Sequence, residues 1–349
     1  LIDQGADVNA KDDTMQSAYL IATSEGYREL LELTLANGAD VRSLDSYNGT
    51  GLIRAAERGH AWVVGRLIRA GIEVDHVNRL GWVGLHEALI FAKPDRPDDY
   101  RDTVRVIVAA RGNVEVRAAG DKRSPIELAR AGGLREQAEL LAAAAAQRGV
   151  PKGEADRRLL EAAERGDADA AALALRAGAD IETRNQLQQT ALLLASANDR
   201  VPVARLLVAL GADPDALDYR HDTPWLVTGV TGSVPMLEAL LPARPDMTIK
   251  NRYGGLSPIP AAERGHVEYI RRVIRTGVDL DHVNDLGWTA LLEAVVLGNG
   301  SQRYQEITRI LVDAGVNTTI KDRQGRDALD LARQKGYAEI VAILESARR

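Results

Sequence analysis

The chain has 349 residues, a net charge of −6 at pH 7 and no cysteine, which excludes disulfides, thiolate zinc sites and cysteine nucleophiles. Aromatic residues make up only 4%, too few for a broad β core, and acids and bases alternate along both halves without the basic stripe that nucleic-acid binding needs. No apolar run approaches the roughly 20 residues of a membrane-spanning helix, so membrane insertion is not expected.

In chain order, Leu1-Ile2-Asp3-Gln4-Gly5 reads as the end of a helix, so the sequence starts within a partial unit at 1–10. That partial unit offers a surface for self-association. Full units are predicted at 11–43, 44–77, 78–117 and 118–147. A stretch rich in turn formers and charges, Gln147–Glu154, follows an alanine-rich helix tail at Ala142–Ala146. Further units are predicted at 155–183, 184–216, 217–250, 251–283, 284–320 and 321–349. The expected organisation is therefore 1–147, a linker at 148–154, and 155–349. The rival arrangement has Ala142–Ala146 packing on Leu159–Ala163 in one continuous stack.

Each unit reads the same way. A turn such as Asn284-Asp285-Leu286-Gly287 leads into a short apolar helix, Thr289–Ala294. A second helix, Gln305–Ala314, carries Ile307, Ile310 and Leu311 at helical spacing and stops at Gly315, where a left-handed residue ends it. Ser17, Thr190, Thr223, Ser257 and Thr289 are placed to cap the first helices. Units 78–117 and 284–320 carry extra residues between their helices, Lys93–Tyr100 and Gly298–Tyr304.

The chain also repeats on a longer scale. Ala55-Ala56-Glu57-Arg58-Gly59-His60 recurs as Ala261-Ala262-Glu263-Arg264-Gly265-His266, and Leu80-Gly81-Trp82 as Leu286-Gly287-Trp288, at one offset of 206 residues. Earlier matches, such as Gly38-Ala39-Asp40 with Gly211-Ala212-Asp213, have an offset of 173. The two offsets differ by 33, one whole unit. Gaining a unit cleanly is the behaviour of a stacked-repeat fold.

The Thr223-Pro224-Trp225-Leu226 stretch, the Ala-Ala-Glu-Arg-Gly-His runs and the repeated Gly-Ala-Asp endings at Gly5, Gly38, Gly178 and Gly211 resemble the ankyrin repeat over nearly the whole chain. The Val-Asn-x-Leu-Gly-Trp stretches are similar to those of small bacterial ankyrin-repeat proteins, many of them exported. The resemblance implies an all-α solenoid of about ten helix-turn-helix units with β-hairpin finger loops. It also implies a bacterial protein in the periplasm or secreted. The excess of arginine over lysine points the same way, to a GC-rich bacterial genome.

No Gly-rich phosphate loop, nucleophile elbow or metal-ligand spacing is present, so no enzyme activity, cofactor or metal is expected. His60, His266 and His86 occupy positions that fix turns in the family. His76 and His282 lie in the fingers, to contact a ligand or to tie one finger to the next. Trp82 and Trp288 follow the turn glycine, either as binding anchors or packed on the neighbouring unit; Trp225 is a core residue. Glu87 and Glu293 are predicted to point into the concave groove near Glu57 and Glu263, as an acidic-aromatic patch or as a solvated polar face.

The expected function is a protein-binding scaffold. Predicted contact residues on the fingers are Tyr47, Asn78, Arg79, Trp82, Tyr219, Arg220, Arg252, Tyr253, Asn284, Asp285 and Trp288, with Glu87 and Glu293 in the groove. The alternatives are a small-molecule or glycan receptor using the Trp/Glu patches, and a bacterial effector or immunity protein.

Overall fold

Short apolar helices of seven to nine residues are marginal alone, so their ends and their neighbours must hold them. The ends are built as predicted at Ser17, Thr190, Thr223 and Thr289, and also at Thr50: each hydroxyl accepts the backbone N–H three residues on. Ser257 is the exception: its backbone is helical and its side chain makes no cap bond. The reason lies in the sequence Pro258-Ile259-Pro260, because the third helical position is a proline with no N–H to cap.

The structure, a computed structural model, describes residues 2–347. It is all-helical, with ten pairs of α-helices among the described residues. The pairs are α1 (Ala18–Glu25) with α2 (Arg28–Ala36), α3 (Gly51–Glu57) with α4 (Ala61–Arg69), α5 (Gly84–Ile90) with α6 (Pro97–Ala109), and α7 (Pro125–Ala131) with α8 (Arg135–Ala146). Next come α9 (Lys152–Arg165) with α10 (Ala168–Arg176), α11 (Ala191–Ala197) with α12 (Val201–Ala209), and α13 (Pro224–Thr231) with α14 (Val234–Leu240). The last are α15 (Pro258–Arg264) with α16 (Val267–Val273), α17 (Ala290–Val296) with α18 (Gln302–Asp313), and α19 (Ala328–Lys335) with α20 (Ala338–Ser346).

The residues form two compact bodies. The first runs to Thr183 and takes in Arg205–Ala212; the second holds Arg184–Ala204 and Asp213 onward. In the first, the inner helices α1, α3, α5 and α7 stack in a row, and α4, α6 and α8 stack behind them. Helix α10 packs on α6 and also touches α8. At α4, a Cβ on Gly65 would lie 2.3 Å from the carbonyl oxygen of Ala209, so only glycine admits that backbone. In the second body, α11, α13, α15, α17 and α19 form the inner row, and α14, α16, α18 and α20 the outer one.

The fingers are tighter than the β-hairpins predicted. Among the described residues the only β pairings are isolated bridges, Leu44 with Thr50 and Arg184 with Thr190. Most fingers are five-residue turns closed by an Asp or Asn. The side-chain oxygen of Asn78 accepts the N–H groups of Leu80 and Trp82, and the Asn78 N–H reaches the Trp82 carbonyl. Asp12, Asp45, Asn185, Asp218, Asn251, Asn284 and Asp322 hold their own fingers by the same two side-chain bonds. A side chain that satisfies two turn N–H groups removes the need for a strand partner.

The extra residues in two of the units are absorbed into structure. Pro97–Tyr100 and Gln302–Tyr304 form the first turns of the long helices α6 and α18. Tyr100 and Tyr304 are buried there. Their hydroxyls donate to the backbone carbonyls of Glu57 (3.2 Å) and Glu263 (2.9 Å) at the ends of the preceding inner helices. Each insertion is thus a brace onto the unit before it. We predict that Tyr100→Phe and Tyr304→Phe each lower stability by about 1 kcal/mol, the net value of one hydrogen bond; urea denaturation checks this, and unchanged midpoints would show that the rings alone do the bracing.

Candidate functional site

The two copies of the long repeat each build a cleft between finger tips and inner helices. In the first body the cleft lies along α3 and α5, with a volume of about 170 Å³. It is lined by Asp45, Tyr47, Gly49, Ile53, Arg54, Glu57, Asn78, Leu80, Trp82, Glu87 and Phe91. In the second body a cleft of about 510 Å³ lies along α15 and α17. Ten of the eleven positions lining the first cleft reappear there at the 206-residue offset, as Asn251, Tyr253, Gly255, Ile259, Pro260, Glu263, Asn284, Leu286, Glu293 and Leu297. Arg220, Asp222, Arg252 and Arg264 add charge to the second cleft.

At the base of each cleft sits a buried carboxylate. Glu87 and Glu293 are each only 4% exposed. The amide of Asn78 donates to Glu87 at 2.8 Å, and that of Asn284 to Glu293 at 2.9 Å. Burial pushes the Glu87 carboxyl up to about 7, helped by the negative charges of Glu57 and Asp45 and opposed by Asn78 and Arg54. Glu293 is pushed up to about 7 as well, by burial first and then by Glu263, against the bond from Asn284. Removing a carboxylate from water disfavours its charged form. Both acids line the clefts as buried floor groups, not as a solvated face.

The clefts differ in their basic residues: Arg54 alone lines the first, and Arg220, Arg252 and Arg264 line the second. Arg54 in the first lies 3.0 Å from Glu57 and 3.5 Å from Asp45. Its counterpart in the second is Pro260, and Asp45 is replaced by Asn251. One oxygen of Glu293, Oε2, is buried and without a hydrogen-bond partner among the described residues.

The predicted contact residues separate into two groups. Tyr47, Tyr219 and Tyr253 are 61, 50 and 55% exposed on the finger tips, and Arg79, Arg220, Arg252 and Asp285 are exposed beside them. The Arg220 guanidinium stacks on Tyr219 and that of Arg252 on Tyr253, 4.7 Å from the ring centre in the latter. Asn78 and Asn284, by contrast, are buried; each links its own finger to the carboxylate below. Trp82 and Trp288 are half-buried. Trp82 lines the first cleft, whereas Trp288 is not among the residues lining the second. Trp225 is buried in the core.

The finger histidines tie neighbours together. His76 bonds the Asn48 carbonyl at 2.8 Å and His282 the Gly254 carbonyl at 2.6 Å. His60 and His266 bond the carbonyls of Ser24 and Val230 in the preceding units. The fully buried His86 takes the Val83 N–H on Nδ1 and approaches the Arg123 carbonyl through Nε2, which requires the neutral Nε2–H form. Burial lowers the His86 pKa accordingly. Backbone bonds also join adjacent tips, from the N–H of Arg79 to the Tyr47 carbonyl and from that of Asp285 to the Tyr253 carbonyl, each 2.9 Å.

Sequence reasoning missed Arg54, Phe91 and Leu297 as cleft residues, while Leu80 and Leu286 lie in fingers it had singled out. The signal was available for some of them: exposed apolar positions recurring at the 206-residue offset. Among the described residues no cluster of acids and histidines is arranged to hold a metal, and no helix is long and apolar enough to cross a membrane.

The family model described as ankyrin repeats (3 copies) matches residues 159–251 and 259–347. YahD, an ankyrin repeat protein of Escherichia coli (strain K12), is 34% identical over 189 residues, covering 54% of this chain and 94% of its own. An ankyrin repeat domain from Acinetobacter baumannii AYE, ABAYE2397, is similar in structure with a TM-score of 0.53 and 42% identity, over 54% of this chain and 97% of that one. The ankyrin repeat protein EF0377 matches with a TM-score of 0.53 and 38% identity over the same shares.

Proposed function

The chain belongs to the ankyrin-repeat family, and from that premise we propose that it is a non-catalytic scaffold that binds a protein partner through its finger tips and the two clefts beneath them. Family members generally serve as protein-interaction modules. The observation that carries the reading is the duplicated cleft: exposed apolar side chains, Leu80 with Phe91 and Leu286 with Leu297, stand over a buried carboxylate in both copies. Apolar anchors around a desolvated polar centre are the composition of an interface hot spot. The exposed tyrosines add large, stiff contact area. We place the protein, like many small bacterial relatives, in the periplasm or outside the cell.

The test is affinity capture from a lysate of the source organism, comparing the wild type with a Tyr47→Ala/Tyr253→Ala variant. Both tyrosines are more than half exposed, so the variant keeps its melting temperature. A partner held by the wild type should be lost, with affinity reduced at least about tenfold, since hot-spot truncations exceed 2 kcal/mol. Retention of every captured protein by the variant would reject the finger-tip surface.

A further inference from the structure

We infer that Asn299-Gly300, in the turn between α17 and α18, is a self-modifying site: the chain converts this asparagine to aspartate and isoaspartate and so loosens its last helix pair, α19 and α20. Three asparagines of the chain precede a glycine, Asn37, Asn48 and Asn299. Glycine has no Cβ to shield its backbone nitrogen, so that nitrogen can attack the side chain before it. The structure separates the three pairs.

Two of them are held on both sides. The Asn48 amide donates to the Val77 carbonyl at 3.3 Å, and the N–H of the buried Gly49 donates to Asp45 at 2.8 Å. The Asn37 amide donates to the Leu33 carbonyl at 2.8 Å, and the Gly38 N–H to the Leu35 carbonyl at 3.3 Å. Asn299 is exposed, and among the described residues neither its amide nitrogen nor the Gly300 N–H donates to any group. Its side-chain oxygen accepts the Ser301 N–H at 3.1 Å. That bond keeps the carboxamide folded towards the residues that follow and draws electrons from its carbon. The first copy of the long repeat has Lys93-Pro94 at these two positions, with neither the amide nor the N–H that the reaction needs.

The Gly300 nitrogen gives its proton to hydroxide and attacks the Asn299 Cγ. The N–Cγ bond forms, the Cγ–Nδ2 bond breaks, and the amide leaves as ammonia after taking a proton from water. Water then opens the cyclic imide at either carbonyl, to aspartate or to isoaspartate. Nothing is oxidised or reduced. The isoaspartate route carries the main chain through the side-chain carbon and lengthens it by one methylene. This happens where α20 is held: the Tyr337 hydroxyl at its start donates to the Gly298 carbonyl at 2.9 Å. The Tyr337 ring lies so close that a Cβ on Gly300 would be 2.5 Å from it. A longer chain between Gly298 and Gly300 moves one of these contacts off the other, and α19 and α20 lose a brace.

The experiment ages the full chain in mildly alkaline buffer and reads each asparagine by peptide mass spectrometry, with electron-transfer fragmentation to tell aspartate from isoaspartate. Asn299 should convert first, well ahead of Asn48 and Asn37, whereas in concentrated urea the three should convert at similar rates. Hydrogen exchange then follows the consequence. Amides of α19 and α20 should exchange faster in aged than in fresh wild type, and the aged Asn299→Gln variant, whose longer side chain closes the ring poorly, should keep the fresh rates. An Asn299 that stays intact in the folded chain, or converts no faster than Asn48 and Asn37, would overturn the inference. So would exchange in α19 and α20 that ignores the conversion, or that rises equally in the Asn299→Gln variant.

Discussion

Asp102→Ala should lower stability by about 3–5 kcal/mol, the cost of stripping a partner from a buried charge. Asp102 is 4% exposed and Arg105 8%. One oxygen of Asp102 accepts from Arg105 at 2.9 Å and the other from Arg205 at 2.7 Å, while Arg105 also donates to Asp169 at 2.6 Å. The network joins α6 to α10 and to the Arg205 segment of the same body. Burial raises the Asp102 pKa even against the two arginines, so the aspartate is held at a desolvation cost and its loss leaves Arg105 half-paired in the interior. Replacing both members with apolar residues, Asp102→Leu with Arg105→Met, should cost less than the two single changes together, because the charges left without a partner, Arg205 and Asp169, are 39% and 35% exposed and reach water. Urea denaturation of the three variants measures this. A loss below about 1 kcal/mol for Asp102→Ala would mean that water satisfies the network, as at a surface ion pair.

The second large effect is a loss of stability as pH rises. Glu87 and Glu293 have folded pKa values of about 7 against an ordinary 4.5. Between those values the folded chain keeps two protons that the unfolded chain has released. Stability therefore falls as pH climbs from 4.5 to 7 and levels off above it. At about 1.4 kcal/mol per pKa unit, each carboxylate contributes up to roughly 3 kcal/mol to the fall. Asp45, Glu57 and Arg54 face Glu87, and Glu263 faces Glu293, so these set the midpoints. Two histidines work the other way: the half-buried His60 and the buried His86 have lowered pKa values and weaken the fold only as pH drops below 6.5. Glu87→Gln/Glu293→Gln removes the first effect and leaves the second. The variant should be the more stable protein at pH 8 and should lose its advantage by pH 5. Parallel pH curves for variant and wild type would contradict the burial of these acids.

The architecture was legible because its signals are local and repeated: helix stops at glycine, caps at serine or threonine, and one unit length throughout. The groove acids were legible too, since a fixed position in a repeated helix faces a fixed direction. Long-range partners were not. Nothing local says that Tyr100 reaches the Glu57 carbonyl, or that α10 lies against α6. Asn78 looked like a finger-tip contact because it sits in a polar turn; its amide turns inward because the turn N–H groups and Glu87 both need it. His76 and His282 left two possibilities open from sequence, and the carbonyl each one bonds lies 28 residues back along the chain. The exchange of Arg54 for Pro260 between the two copies was readable in the sequence, but it acquires meaning only once the acids around Arg54 are placed in the cleft.

The Asp or Asn that closes most of the fingers fixes the loop without using any side chain at the tip. Shape and chemical identity are thereby uncoupled at positions such as 46–47, 79–80, 219–220 and 252–253. Natural variation can rewrite these residues without disturbing the frame that presents them, and so can a randomised library. The chain is thus a platform on which new binding specificities can evolve at little risk to folding.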